Sequence, residues 1–184
     1  MKKARKGIER YKQLSFENLY YGTQRDLLAL EEEGEDDLSA INFGLALHYT
    51  LEMMDSFCVE ALPNALNMML NKYGFALSDA EIAEIEKRVK NLVQNEQFLA
   101  LTNGKIFKEK ALRFKNNLRY LDLLVKKEDG SYSIIDYKSS FNFSEKHLAQ
   151  VRYYVNAVKA ITGEQSVSGY LCYIVEDGIK FVKV

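Results

Sequence analysis

From residue 39 onward the apolar positions recur first at helical and then at strand spacing. Phe43, Leu47, Leu51 and Met54 fall on one side of a helix for which Ser39 is the expected N-cap. Ala61 to Tyr73, with Pro63 in its first turn, and Ser78 to Asn95 predict two more helices. The second opens with the capping box Ser78-Asp-Ala-Glu81 and carries Ile82, Ile85, Val89 and Val93 as its apolar stripe. The pattern then shortens toward alternation. Phe98 to Leu101, an Asn103-Gly104 turn and Ile106 to Phe114 predict a hairpin. Arg119 to Val125 and Tyr132 to Lys138 predict another, around Lys126 to Ser131. A helix from about Ser144, with Leu148, Val151, Tyr154, Val155 and Val158 apolar, ends at Gly163. Val167 to Val175 and Ile179 to Val184 then flank Glu176-Asp-Gly178 as a last hairpin. This order predicts an α/β fold, a central mixed sheet between helices, with extra helices on the N-terminal side.

Residues 1–38 read as an extension ahead of one domain, 39–184. The extension opens with Lys2-Lys3-Ala-Arg5-Lys6 and closes with the acidic run Glu31 to Asp37; short runs of this kind are usually solvated, and neither is assigned a function. The 184 residues are enough to bury a sizeable core, and 47% apolar residues with one proline argue against disorder for most of the chain. The net charge of −1 does not by itself favour a nucleic-acid partner, although an acidic metal site would subtract from a basic surface. No apolar run is long enough to span a bilayer and no signal-peptide core is present, so a cytoplasmic protein is expected. Cys58 and Cys172 are then expected to be reduced core residues, and two cysteines cannot supply the four thiolates of an iron–sulfur cluster.

The second hairpin holds the candidate chemistry. With a three-residue loop, Gly130 takes a left-handed conformation, Lys127 faces Ser131, and Asp122 lies directly across from Asp136. Lys138, two residues beyond Asp136, then projects from the Asp136 face. A two-residue Asp-Gly loop would instead place the aspartates on opposite faces. Facing carboxylates repel unless a cation lies between them. Lys138 supplies part of that charge, and a hard divalent ion such as Mg²⁺, which takes one or two protein carboxylates, would supply the rest. The competing reading is a hairpin with solvated charges; the apolar runs around both aspartates, Leu121 to Val125 and Ile134-Ile135, favour burial.

Asp122 followed by Asp136-Tyr137-Lys138 resembles the bipartite D…(D/E)-x-K signature of the PD-(D/E)XK nucleases. Ile134-Ile-Asp-Tyr-Lys-Ser139 is similar to the RecB/AddA branch of that superfamily. Two further stretches resemble motifs of that branch in the same order. Gly44-x-x-x-His48-x-x-x-Glu52 places three residues on one helix face, its mid-helix glycine suggesting a close approach, and Gln150-x-x-x-Tyr154 closes the set. The family usually carries a glycine shortly before the first aspartate; Arg119-Tyr120-Leu121 stands there in this chain.

The resemblance implies a restriction-endonuclease-like core. It also implies a site in which His48, Asp122, Asp136 and the main-chain carbonyl of Tyr137 hold Mg²⁺ or Mn²⁺, Lys138 works on the attacking water, and Gln150 contacts DNA or water. Glu109, on the preceding strand, is a possible site-lining residue, and no motif claims His147. The implied function is exonuclease-type DNA hydrolysis by the nuclease domain of a helicase–nuclease in double-strand break repair and recombination, with a helicase domain or partner subunit. No Gly-x-x-x-x-Gly-Lys-Ser/Thr loop occurs, so the sequence carries no ATP-driven motor. The alternative is a non-catalytic DNA-binding or docking module on the same fold.

Overall fold

The computed structural model describes residues 38–141 and 145–184. The expected extension, apart from Leu38, and the expected start of the last helix at Ser144 lie outside these residues. Among them, α1 (Leu38–Met53), α2 (Leu62–Tyr73), α3 (Asp79–Val93) and α4 (Glu96–Thr102) precede three strands, β1 (Lys105–Phe114), β2 (Asn117–Lys126) and β3 (Tyr132–Lys138). Then follow α5 (Glu145–Thr162), β4 (Val167–Val175) and β5 (Gly178–Lys183). The strands form one sheet in sequence order. Its pairs are antiparallel except β3–β4, which is parallel and joined by α5, so the sheet is mixed as expected.

Strand periodicity sorts the side chains into two cores. Leu123, Val125, Ile135, Tyr137, Cys172 and Ile174 face a layer built from α1 to α4, including Leu47, Leu51, Met69, Ile85, Val89 and Phe98. On the other face Leu124 and Ile134 meet Tyr154, Ala157 and Val158 of α5. Leu171 and Tyr173 meet Leu148 and Val151 of the same helix. The α1 helix therefore covers a face of the sheet.

Two local expectations are corrected. Phe98 to Leu101 is helical: the Asn95 side chain accepts a hydrogen bond from the Phe98 amide and caps α4, whose Phe98 and Leu101 are buried one turn apart. With that arm gone, β1 pairs with β2. Ser39 does not cap α1 but lies within its first turn, and its hydroxyl donates to Glu81 Oε1 at 2.6 Å, tying α1 to the capping box of α3. That box is present as expected. Cys172 is buried, whereas Cys58 is only partly so; both are free thiols.

Glycine sets the approach of α5. A Cβ at Gly169, in β4, would fall 2.8 Å from Val155 Cγ2 and closer still to Val151 Cγ1. Gly169→Ala is thus expected to push α5 off the sheet and cost about 1–3 kcal/mol, measurable by denaturant unfolding. On the opposite layer, the Lys108 ammonium donates to the carbonyls of Met54 and Glu52 at the C-terminal end of α1 and lies 4.4 Å from the centre of the Phe57 ring. Burial lowers its pKa to about 8, against the opposing pull of Asp55 and Glu52. A lysine with a folded-state pKa below its unfolded value penalises folding at low pH. The penalty is complete below about pH 8 and fades toward the ordinary value of 10.5. The stability of the parent should therefore gain on that of Lys108→Met as pH rises from 8 to 10, and pH-resolved urea melts of both proteins measure this.

Candidate active site

The loop between β2 and β3 decides the geometry, and it has three residues. The Lys127 amide donates to the Ser131 carbonyl at 2.9 Å, the Gly130 amide donates to the Lys127 carbonyl, and Gly130 has φ 86°. Asp129 accepts from the Ser131 amide and hydroxyl, which closes the turn. The ladder runs from Lys126 opposite Tyr132 to Leu123 opposite Ile135, so the next opposed residues are Asp122 and Asp136.

At that step the ladder opens. Asp122 Oδ2 accepts a hydrogen bond from the Tyr137 amide at 2.8 Å, taking the place of a main-chain carbonyl. The carboxylate therefore turns into the fork between the strands rather than standing on the Asp136 face. The facing of β2 slips at the same place: Leu121 joins the α5-side core together with Leu124, while Leu123 joins the other. Across β2, Glu109 lies opposite Asp122 at a break in the β1–β2 ladder and has φ 45°. Backbone held in that region by a non-glycine residue is a strain that gathers at functional sites.

Both aspartates are buried, Asp122 at 5% and Asp136 at 2% exposure. Lys138 Nζ lies 3.0 Å from Asp136 Oδ2, an ion-pair contact whose alignment falls short of a hydrogen bond. The same ammonium donates to Gln150 Oε1 at 3.4 Å, and Gln150 Nε2 donates to the Tyr154 hydroxyl at 3.0 Å. Asp136, Lys138, Gln150 and Tyr154 thus form one polar chain across β3 and α5.

From the other layer His48 places Nδ1 3.4 Å from Asp122 Oδ2, its ring edge-on to Tyr137 at 5.7 Å between centroids. Gly44 permits this approach, because a Cβ there would meet Ser139 Oγ at 3.0 Å. Among the described residues no three His, Cys, Asp or Glu side chains converge closely enough to hold a metal ion. The site is instead two carboxylates, a neighbouring main chain and a histidine that contacts one of the carboxylates. Glu52 contributes its carbonyl to Lys108 rather than a side chain to this group, and His147 lies in the first turn of α5.

Two residues here carry no sequence signal. Arg88 of α3 donates to the carbonyls of Ser139 and Ile174 at 3.0 and 3.2 Å, and so pins the ends of β3 and β4. In sequence it reads only as the helical partner of Glu84, which it also contacts at 2.8 Å. Tyr173 stands opposite Lys138 in the parallel β3–β4 register, a pairing that no local pattern announces.

A family model described as the PD-(D/E)XK nuclease superfamily matches residues 20–182. Among solved structures, the fold is similar to a "Putative exonuclease" from Eubacterium rectale, at a TM-score of 0.50 and 12% identity. The likeness covers 73% of this chain and 59% of that one, so this chain spans about 59% of that protein's length. A weaker likeness, to the protein SSO0001, has a TM-score of 0.34 at 13% identity over 87% of this chain and 73% of that one. No curated protein matches the sequence significantly. The family match spans α1 through β5 and includes the fork where Asp122 meets Asp136-Tyr137-Lys138; the chain belongs to the PD-(D/E)XK nuclease superfamily.

Proposed function

We infer that this nuclease-superfamily domain hydrolyses DNA phosphodiesters, in exonuclease fashion, with a divalent cation held at the fork. The reading rests on one observation: two carboxylates buried at the opening of the β2–β3 ladder, with a lysine ammonium 3.0 Å from one of them. The donor set fits a hard cation, being built from carboxylate and main-chain oxygens. Asp136 Oδ2 is buried, with an ion-pair contact but no hydrogen bond, and so retains an oxygen for such a ligand. Asp122, Asp136 and the Tyr137 carbonyl would hold Mg²⁺ or Mn²⁺, and His48, 3.4 Å from Asp122 Oδ2, would orient that carboxylate rather than add a third side-chain ligand. Two carboxylates suffice for Mg²⁺, which keeps its remaining positions for water and phosphate oxygens.

When bound, the cation supplies Lewis-acid polarisation of the phosphoryl group and lowers the pKa of water. The protein's own residues do the positioning. Asp136 and Gln150 Oε1 fix the Lys138 ammonium from two sides, and Tyr154 fixes Gln150. Lys138 orients the attacking water, takes part in its proton transfer and offsets the charge that develops on the phosphate. The order of His48, Asp122, Asp136-Tyr137-Lys138 and Gln150 resembles the RecB/AddA arrangement. That supports a role as the nuclease part of a helicase–nuclease in break repair and recombination, working with a helicase domain or partner subunit in the cytoplasm. No described helix is long and apolar enough to cross a membrane.

Incubation of the chain with linear single- and double-stranded DNA tests this reading. Degradation is expected with Mg²⁺, none with a chelator, and none for Asp136→Ala. A folded parent that leaves all DNA intact would favour the docking-module alternative. Lys138→Ala separates chemistry from metal binding. It removes no metal ligand and deletes a positive charge beside the carboxylates, so Mn²⁺ affinity by calorimetry should hold or rise. Turnover should fall by about 10²–10⁴-fold, the range of a positioned proton-transfer group. Cleavage at the parent rate would make Lys138 a structural ion-pair partner.

A further inference from the structure

On the α5 side of the sheet the β1–β2 hairpin carries cations without matching carboxylates. The register sets Lys105 opposite Lys126, two positions before the Phe107–Leu124 pair that packs toward α5. Past the break at Glu109, Lys110 lies opposite Leu121 and Arg119 opposite Leu112, again on the α5 side. Lys115 follows in the turn between the strands. The four lysines are exposed and Arg119 is half-buried, and none of the five forms an ion pair or a hydrogen bond through its side chain among the described residues. The ammonium groups lie beside aromatic rings instead. Lys105 and Lys110 Nζ are 5.3 and 6.0 Å from the centre of the Phe107 ring, Lys115 Nζ is 5.4 Å from that of Phe114, and Lys126 Nζ is 5.9 Å from that of Tyr132. The whole chain has a net charge of −1, so this gathering of one sign is a matter of placement and not of composition. Lysines on an edge strand also guard it against pairing with another sheet, but that purpose needs β1 alone. Here the cations continue onto β2, which lies inside the sheet.

The hairpin also leads to the fork. The β2–β3 ladder ends at Leu123 opposite Ile135, so from Asp122 back to Asn117 β2 pairs with β1 alone. Lys110 and Arg119 belong to this two-stranded ribbon, which runs on the order of 15 Å from the fork to its tip at the usual strand rise. A two-residue turn closes it, with Lys115 at φ 49° and Asn116 at φ 64°. From α5 the Tyr153 hydroxyl donates to the Phe114 carbonyl at 2.6 Å and braces the tip. Lys138 and Gln150 stand on the same side of the sheet. We propose that this face of the β1–β2 hairpin tracks the phosphate backbone of DNA and guides it to the fork without reading its sequence. The choice of DNA as the partner rests on the nuclease reading above. Cations free of carboxylate partners keep their N–H donors for phosphate oxygens, and each phosphate they neutralise releases condensed counterions.

Fluorescence anisotropy of a labelled DNA duplex, titrated over a range of salt concentrations with a chelator present to prevent cleavage, tests the proposal. Two double variants, Lys105→Gln with Lys110→Gln and Lys115→Gln with Arg119→Gln, should each bind more weakly than the parent, and equally so for duplexes of different sequence. The slope of log affinity against log salt should become shallower by about 1 for each cation removed. Lys87→Gln with Lys90→Gln, exposed on α3 in the opposite layer, should leave both affinity and slope unchanged. Parent-like slopes in both hairpin variants would overturn the proposal, as would a parent that binds no duplex. A lowered thermal midpoint with unchanged DNA affinity would also overturn it, by assigning the face to an acidic segment of this chain. A parent that binds through this face but degrades no DNA would remove the nuclease reading and leave the surface standing. A parent that degrades DNA, with the slopes of the variants unaltered, would remove the surface alone.

Discussion

Carboxylates taken out of water must be compensated, and the structure around Asp122 and Asp136 follows from that requirement. Asp136 is matched by the Lys138 ammonium on its own strand, and Asp122 by the Tyr137 amide and the His48 ring. The first solution needs only the period of the strand, but the second is not available to a regular hairpin. A continued ladder would have occupied the Tyr137 amide with a carbonyl, and two opposed aspartates would have repelled each other across it. Opening the sheet at this step frees a donor for one carboxylate and leaves the other aligned with a lysine. The same opening is where the proposed cation would sit, between oxygen donors of the kind a hard cation takes.

The surrounding fold holds the opening in place. The parallel β3–β4 pair, joined by α5, brings Gln150 and Tyr154 to Lys138 on one face, and Gly169 lets the helix sit close enough for that chain of contacts. From the opposite layer Arg88 ties Ser139 to Ile174, while Gly44 lets α1 approach Ser139 so that His48 reaches Asp122. Two helical layers therefore converge on the C-terminal end of β3 from opposite faces, and the charged residues lie between them.

Most of this could be read from the chain because it depends on local rules. Turn chemistry at Asp129-Gly130 set the register that puts Asp122 opposite Asp136, and the period-2 pattern put Lys138 on the Asp136 face. The Ser78–Glu81 box likewise announced α3. The misreadings arose where a short segment satisfied two patterns or where a contact was non-local. Phe98 to Leu101 is apolar enough for a strand, but the Asn95 cap and its one-turn spacing make it a helix. Ser39 looks like a cap, yet its partner is Glu81, 42 residues away. The turn of the Asp122 carboxylate into the fork could not be foreseen either, since it comes at a break in the β1–β2 ladder, opposite Glu109 with its φ of 45°, that no local pattern announces. Arg88 and Tyr173 acquire their places only through tertiary pairing.

The central claim is that the two aspartates at the fork are a cation site rather than a self-sufficient ion-pair cluster. Anomalous diffraction from crystals of the chain equilibrated with Mn²⁺ tests it most directly. The account predicts an anomalous peak bounded by the carboxylates of Asp122 and Asp136 and the carbonyl of Tyr137, absent from crystals of Asp136→Asn. A fork without such a peak at saturating Mn²⁺, with Asp136 still paired with Lys138 and Asp122 still bonded to the Tyr137 amide, would contradict it.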